Sequence, residues 1–172
     1  MKRLLAIIGM GTVAFVAVAM AQEWEVFAVW LGRAPAPAMS EAVRSQAVGG
    51  AERAVEGWIS MMRHLYGSGG DRRFSERAPA SEAVLAATLF DIEYLARTHR
   101  RQVMDLIRLE KTGTLALSPK HARVATREYW VVHTLAPDGR ELEPEKAVVA
   151  EAEYHVAEEN RVWVVVATRR SR

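Results

Sequence analysis

The chain has 172 residues, of which 50% are hydrophobic and 26% are charged, and this composition suits one globular domain with a core. It has no cysteine, so disulfides, thiolate nucleophiles and cysteine-based zinc sites are excluded. Setting aside Lys2 and Arg3 leaves 21 basic against 21 acidic residues, because no Asp or Glu precedes residue 22. That balance argues against a nucleic-acid-binding surface, which needs a clustered positive excess.

The N-terminal segment predicts a membrane location. Residues 4–21 contain no charged side chain and directly follow Lys2 and Arg3. As a helix they would span roughly 27 Å, close to the hydrocarbon thickness of a bilayer. Positive residues stay on the cytoplasmic side of a membrane, so we expect the N-terminus inside and the rest exported. The sequence thus predicts a single-pass protein of a bacterial inner membrane with a periplasmic domain.

A cleaved signal peptide is the alternative interpretation of this segment. Ala19-Met20-Ala21 fits a small-x-small cleavage site, and cleavage after Ala21 would release a soluble secreted protein. We favour a retained anchor, because the apolar segment is long enough to span and continues into Trp24, Phe27 and Trp30. Aromatic side chains there suit the membrane interface. Residues 1–31 are therefore predicted as a membrane helix with an interfacial extension.

Two helices are predicted after an Ala/Pro linker over residues 32–39. Ser40 is a candidate N-cap for the first helix, whose apolar stripe runs from Val43 to Leu65 at spacings of three and four. Gly49-Gly50 is expected to weaken or kink this helix. A second helix is predicted from Ser81, with a stripe of Leu85, Leu89, Ile92, Ala96, His99, Val103 and Leu106.

From Thr112 the apolar period changes from about 3.6 to 2, which predicts strands. Pro137-Asp138-Gly139 and Glu159-Asn160 are turn signals between them. The last strand is apolar enough to suggest burial on both faces. The order of elements predicts an α+β domain over residues 40–172, with helices packed on a curved antiparallel sheet of about four strands. The predicted strands are 113–118, 121–135, 146–157 and 161–168.

The domain resembles the nuclear transport factor 2-like superfamily, whose cone fold is also called cystatin-like. The resemblance rests on the long first helix with Trp58 in its last turns, on Glu153-Tyr154-His155-Val156 and on the turn Asn160-Arg161 into Val162-Trp163-Val164-Val165. These are core and turn positions. The superfamily includes isomerases, dehydratases, ligand carriers and non-catalytic modules, so the resemblance implies a fold and leaves the activity open.

A pocket in the cone would be lined, in this interpretation, by Trp58, Tyr94, His99 and Trp130. His99 is expected on the apolar helix stripe, where a hydrogen-bonded core histidine is commoner than a catalytic base. Neither it nor His64, His121, His133 or His155 has a metal-ligand spacing. We therefore predict no metal site and no cofactor.

Members resembling ketosteroid isomerase use a carboxylate base and acidic donors in an apolar pocket. Asp91, Tyr66, Tyr94, Tyr129 and Glu128 are candidates for the mouth of such a pocket, although none lies in a family motif. Glu128 shares its predicted face with Trp130, and we expect it near the exposed beginning of the strand. The tail Arg169, Arg170 and Arg172 is expected to be a solvated chain end. No catalytic residue is assigned.

These observations favour a non-catalytic, membrane-anchored extracytoplasmic domain. It would bind or scaffold partner proteins of an envelope complex, or a second copy of itself, with its open sheet face. A small-ligand carrier or pocket enzyme of the cone fold is the alternative, and a cleaved secreted protein is another. The expected partners are the lipid bilayer and a membrane or envelope protein complex, without nucleic acid.

Overall fold

Helix α1, Glu41–Ser68, begins and ends where its capping residues predict. The Ser40 hydroxyl accepts a hydrogen bond from the Val43 amide, which satisfies a donor that the first turn leaves free. At the other end Gly69 adopts a left-handed conformation with φ 73°, and the Gly70 amide donates to the Leu65 carbonyl at 2.8 Å. Glycine takes this conformation without a Cβ penalty, so the helix stops there.

The computed structural model describes residues 38–75 and 77–171, except for the side chains of Arg72, Ser75 and Ser171. The predicted membrane helix and its interfacial residues Trp24, Phe27 and Trp30 lie outside the described residues, as does most of the linker. Among the described helices, none is long and apolar enough to cross a bilayer.

Helix α2 is a short turn, Arg72–Ser75, and helix α3 spans Glu82–Arg97. The Ser81 hydroxyl accepts from the Val84 amide, which confirms the predicted N-cap. The predicted stripe is wrong beyond Ala96, because the helix ends at Arg97 and His99 adopts φ 54°. The Arg100 amide then donates to the Leu95 carbonyl and closes the last turn. No glycine marks this stop, so the sequence pattern misses it.

Four antiparallel strands follow and pair in chain order. The first begins much earlier than predicted, so Val103 and Leu106 lie in a strand and not in a helix. Their spacing of three fits a helix face, whereas in a strand it places the two side chains on opposite faces. In the strand it is Met104 and Leu106 that pack against the core. The strands are β1, Arg101–Ser118; β2, His121–Leu135; β3, Glu141–Glu159; and β4, Val162–Ser171.

Register shifts bend the sheet. Strand β1 has three of them against β2, between Leu106 and Arg108, Lys111 and Gly113, and Ala116 and Ser118. Each extra residue increases the local twist and turns the strand. The sheet therefore has an inner face, on which α1 packs, and an outer face of alternating charged residues.

The core lies between α1 and the inner face. The α1 stripe is buried as predicted from Ala47 to Leu65, whereas Val43 is 36% exposed. Among the described side chains of the last strand, only Val165 is fully buried, so the expected burial on both faces is wrong there. This strand lies at the sheet edge, where α1, α3 and the 79–81 segment contact it. The main core residues are Val55, Trp58, Ile59, Leu65, Val124, Trp130, Tyr154, Val156 and Val165.

Charged side chains along the margins of α1 hold this helix against strand β1. Lys111 Nζ lies 2.9 Å from carboxylate oxygens of both Glu52 and Glu56. Near the other end, Arg63 donates to the Met104 carbonyl and pairs with Asp105, both at 3.2 Å. Each exposed pair contributes little alone, but their spacing along α1 fixes the angle between helix and strand.

Gly50 lies at a close approach between α1 and β4. A Cβ there would lie 2.4 Å from Nε1 of Trp163, whereas a Cβ on neighbouring Gly49 would come no closer than 3.4 Å to the end of the Arg53 side chain. The helix runs through both residues without a break. The glycine pair therefore has a packing role at Gly50, in place of the expected weakening or kink.

Gly50→Ala should destabilise the domain by about 1–3 kcal/mol, because Trp163 must move to admit the methyl group. Gly49→Ala is the matched control and should stabilise by roughly 0.5–1 kcal/mol, since it only removes backbone freedom from the unfolded chain. Urea denaturation followed by circular dichroism measures both. Equal effects of the two substitutions would contradict this packing role.

Candidate functional site

The structure does not gather the four predicted pocket residues into one cavity. Trp58 and Trp130 are 2% and 3% exposed and belong to the core between helix and sheet. Tyr94 is 62% exposed on α3, and His99 is exposed just after that helix ends. The early end of α3 is the reason, because it removes His99 from the face that packs against the core.

A buried carboxylate is the most unusual feature of the core. Glu128 is 0% exposed, although we expected it near the exposed beginning of its strand. It lies in the middle of β2, paired with Leu109 on one side and Ala150 on the other. Strict alternation places it on the inner face with Thr126 and Trp130.

Four neighbours surround this carboxylate, and together with Glu128 we call them the Glu128 cluster. Oε1 accepts from the Thr126 hydroxyl at 3.0 Å and from the Tyr154 hydroxyl at 2.5 Å. Oε2 accepts from the Trp130 indole N–H at 2.9 Å, and Nη2 of Arg170 lies 3.6 Å from the same oxygen. A buried charge is costly unless it is paired and hydrogen-bonded, and here both oxygens are satisfied.

Arg170 is the member that sequence reasoning missed. The basic tail was expected to be solvated, and the Arg170 side chain is 39% exposed, but it also lies in β4 opposite Ala152 and reaches Glu128 on the inner face. Its guanidinium also lies 3.4 Å from the Met62 sulfur of α1. The sequence places Thr126, Glu128 and Trp130 on one strand face, because they are two residues apart. Only the pairing of β3 with β4 brings Arg170 to that face.

Electrostatics favour the neutral phenol and the charged guanidinium in this cluster. Burial raises the pKa of Tyr154 well above its usual range, and the negative charge of Glu128 adds to the effect. Burial opposes the charge of Arg170, but the oxygens of Tyr154 and Glu128 outweigh it and raise the Arg170 pKa. At neutral pH the guanidinium therefore stays charged, and the phenol stays a donor.

Tyr66 and Asp91 adjoin the cluster. Burial first, and the charge of Asp91 second, raise the pKa of Tyr66 to about 12, while Arg170 opposes this shift. The other two tyrosines considered for a pocket mouth lie elsewhere. Tyr129 faces outward, where its hydroxyl donates to Glu110 at 3.4 Å, and Tyr94 is exposed on α3.

The Glu128 cluster thus has the properties of a structural anchor. Its carboxylate oxygens accept hydrogen bonds from β2 and β3 and lie near Arg170 of β4, and Glu128 lines neither of the two cavities described below. Within the described ranges no group of three His, Asp or Glu side chains is placed to hold a metal ion.

Two cavities open at other places. One of about 300 Å³ lies where β1 begins, with mostly apolar walls from α1, α3 and the β2–β3 turn. The other, of about 350 Å³, lies on the outer face around Ala125. Of its charged side chains, Arg127 binds Glu151 at 2.8 Å and Glu153 lies 3.6 Å from Arg123, while Arg169 lines the cavity as well.

Comparison with known proteins identifies a fold. The chain is similar to the intermembrane space region of chloroplast protein ARC6, with 12% identity and a TM-score of 0.61 over 78% of this chain and 98% of that one. At this identity the likeness shows a shared fold alone. No family model matches, and no curated protein matches by sequence.

Two further solved structures match less closely. An uncharacterised protein with a cystatin-like fold from Caulobacter vibrioides has 13% identity and a TM-score of 0.44, over 70% of this chain and 88% of that one. A domain of unknown function with a cystatin-like fold from Nostoc punctiforme has 13% identity and a TM-score of 0.41, over 78% and 79%.

Tyr154→Phe should destabilise the domain by about 1–3 kcal/mol, because it removes a short hydrogen bond to a buried carboxylate. Tyr129→Phe loses a 3.4 Å bond to Glu110 and an interaction with Arg127, both on the outer face, and should change stability by less than about 0.5 kcal/mol. Urea titration of both variants measures the difference. If Tyr154→Phe is as mild as its control, the Glu128 cluster does not anchor the core.

Alkaline pH should also destabilise the domain. Folded Tyr66 keeps its proton to about pH 12, whereas an unfolded tyrosine loses it near the ordinary pKa of 10.0. The unfolded chain therefore binds fewer protons between these values, and stability falls as pH rises, by roughly 2–3 kcal/mol from this residue. Tyr66→Phe should flatten the fall, and Tyr94→Phe should not. Unfolding measured at several pH values from 8 to about 11.5 tests this.

Proposed function

We propose that the chain is a non-catalytic, membrane-anchored extracytoplasmic domain that binds or scaffolds partner proteins of an envelope complex. The observation that carries the proposal is the uncharged segment of residues 4–21 behind Lys2 and Arg3. Such a segment holds a domain at one side of a membrane and raises its effective concentration near membrane-bound partners.

The Glu128 cluster supports the non-catalytic part of the proposal. An acid or base in catalysis must reach the proton that it transfers. Glu128 is fully buried, and its two oxygens already accept hydrogen bonds from Thr126, Trp130 and Tyr154. The arrangement suits a fixed ionic tie between strands β2, β3 and β4.

The shared fold with the ARC6 region supports an envelope location. That region belongs to a chloroplast protein and lies in an intermembrane space. A fold of this kind therefore serves in a compartment between two membranes. In this proposal the present domain occupies the equivalent compartment of a bacterial envelope.

The outer face of the sheet offers the contact surface. Arg108, Tyr129 and Val149 lie side by side on β1, β2 and β3, and we call them the outer strip. The Arg108 guanidinium lies 5.6 Å from the centre of the Tyr129 ring, and Val149 is 58% exposed. Arginine and tyrosine are enriched at the centres of protein interfaces, where an adjacent apolar residue adds buried area.

The edge of β3 next to the outer strip is open as well. Strand β4 pairs with Glu151–Glu159, so residues 141–150 have no strand partner on that side among the described residues. Pro144 and Lys146 obstruct strand addition along the first part of this edge. Residues 147–150 contain neither a proline nor a charged side chain, and they include Val149. A partner on the outer strip would cover this exposed backbone.

Val149→Glu should reduce the recovery of crosslinked partners from detergent-solubilised membranes by about tenfold, because it places a charge in the centre of the contact. Val162→Glu is the matched control. Val162 is 57% exposed at the far end of the sheet, and its substitution should leave recovery unchanged. Recovery of the wild-type chain as a lone monomer, or equal recovery of both variants, contradicts the proposal.

Fractionation tests the anchor in the same preparation. The full chain should remain in the membrane after carbonate extraction, with Met1 retained, and its domain should be open to protease only from the periplasmic side. A mature chain that begins at Gln22 would instead identify a cleaved, secreted protein.

A further inference from the structure

The open edge of β3 presents a defined set of backbone groups. The Glu158 amide donates to the Lys120 carbonyl at 2.8 Å, so at this residue the β3 backbone bonds to β2. Backbone groups alternate between the two sides of a strand, and β2 and β3 pair without a register shift from there to Lys146. The N–H and C=O groups of Ala147 and Val149 therefore point away from β2, to the side where the described residues supply no strand.

The neighbouring edge of the sheet shows how this fold covers such groups. The Val165 amide of β4 donates to the Pro79 carbonyl at 2.9 Å, and the Ser81 amide donates to the Val165 carbonyl at 2.8 Å. Residues 79–81 thus lie beside β4 as a short extended segment, parallel to it. Within the described ranges, residues 147–150 have no equivalent segment beside them.

The side chains of this edge segment are apolar on both faces of the sheet. Val149 is 58% exposed on the outer face, and Val148 is 41% exposed on the inner face. Exposed edges are commonly protected by proline or by charged side chains, as Pro144 and Lys146 protect the residues before this segment. Residues 147–150 lack that protection, so they favour an apolar segment as the strand that pairs with them.

A second copy of the chain cannot pair here through its own β3 edge. If residues 147–150 of two copies paired antiparallel, residues 141–146 of each copy would continue alongside residues 151–156 of the other. That position is held by β4, which pairs with Glu151–Glu159. The space beside the open edge therefore suits a short segment that leaves the sheet before it reaches the end of β4.

We propose that residues 147–150 bind a short, extended, apolar segment of the partner protein as an added β-strand. This inference rests on the proposed partner binding and names the part of the partner that makes the contact. The segment exchanges backbone hydrogen bonds with Ala147 and Val149, which satisfy the groups that β2 leaves free. Its side chains pack beside Val148 on the inner face and beside Val149 on the outer face.

Isothermal titration of the full chain in zwitterionic nanodiscs, with empty nanodiscs as the blank, tests the site with two peptides. The valine peptide is acetyl-Lys-Thr-Val-Val-Val-Thr-Lys-amide, and the proline peptide has proline in place of the central valine. The valine peptide should bind with one-to-one saturation and about tenfold more tightly, because proline removes an N–H and interrupts the ladder. An excess of the valine peptide should also lower the recovery of crosslinked partners.

Ala147→Pro should abolish peptide binding and lower partner recovery by about tenfold, because it removes an N–H from the open edge. Edge strands accept proline where its nitrogen faces solvent, so the domain should still fold. Ala147→Val is the matched control, since it keeps the N–H and the apolar side chain, and it should retain both activities.

Hydrogen exchange of the wild-type chain gives a second measurement that needs no variant. The valine peptide should slow exchange at the Ala147 and Val149 amides, which point to the open edge. It should leave the amides of Val148 and Ala150 unchanged, because they already bond to β2.

Four outcomes overturn the proposal. They are no saturable binding of the valine peptide, equal binding of the two peptides, equal partner recovery with Ala147→Pro and Ala147→Val, and a crosslink that joins residues 147–150 of two copies. Partner binding itself is judged separately, by Val149→Glu against Val162→Glu. A partner that depends on Val149 but not on the Ala147 N–H would leave the proposed function standing and remove the added strand.

Discussion

The buried charge of Glu128 is the constraint that the rest of this domain satisfies. A carboxylate that is 0% exposed requires donors in fixed places, and they come from β2, β3 and β4. Tyr154 and Arg170 reach it only if the strands pair in the observed register. The ionic group therefore penalises slipped pairings that apolar contacts alone would tolerate.

The two faces of the sheet have different roles in this domain. The inner face holds the contact with α1 and the Glu128 cluster, in which Thr126, Glu128, Trp130 and Tyr154 are buried. The outer face carries paired charges with Tyr129 and Val149 among them, and within the described ranges part of the neighbouring β3 edge has no strand partner. The contacts that stabilise the domain thus lie mainly on the inner face, so the outer face is available for contact with another molecule.

The early end of α3 places Arg100 and Arg101 at the cavity where β1 begins, and it separates residues that were predicted to line a pocket. Because the helix stops at Arg97, His99 moves away from the core, and Arg101 begins a strand. Tyr94 remains on the surface, and Trp58 and Trp130 pack against other core residues. The end of α3, closed by the hydrogen bond from the Arg100 amide to the Leu95 carbonyl, determines which residues line a cavity.

Local signals in the sequence determined the caps at Ser40 and Ser81, the buried stripe of α1, the turn at Pro137-Asp138-Gly139 and the α+β class, because each depends on residues close together in the chain. The stop of α3 was hidden, since Val103 and Leu106 continue the helical spacing although they lie in β1. Tertiary structure alone decided the approach of Gly50 to Trp163 and the meeting of Glu128, Tyr154 and Arg170. Such contacts join residues far apart in the chain, and strand register, which no local pattern encodes, brings them together.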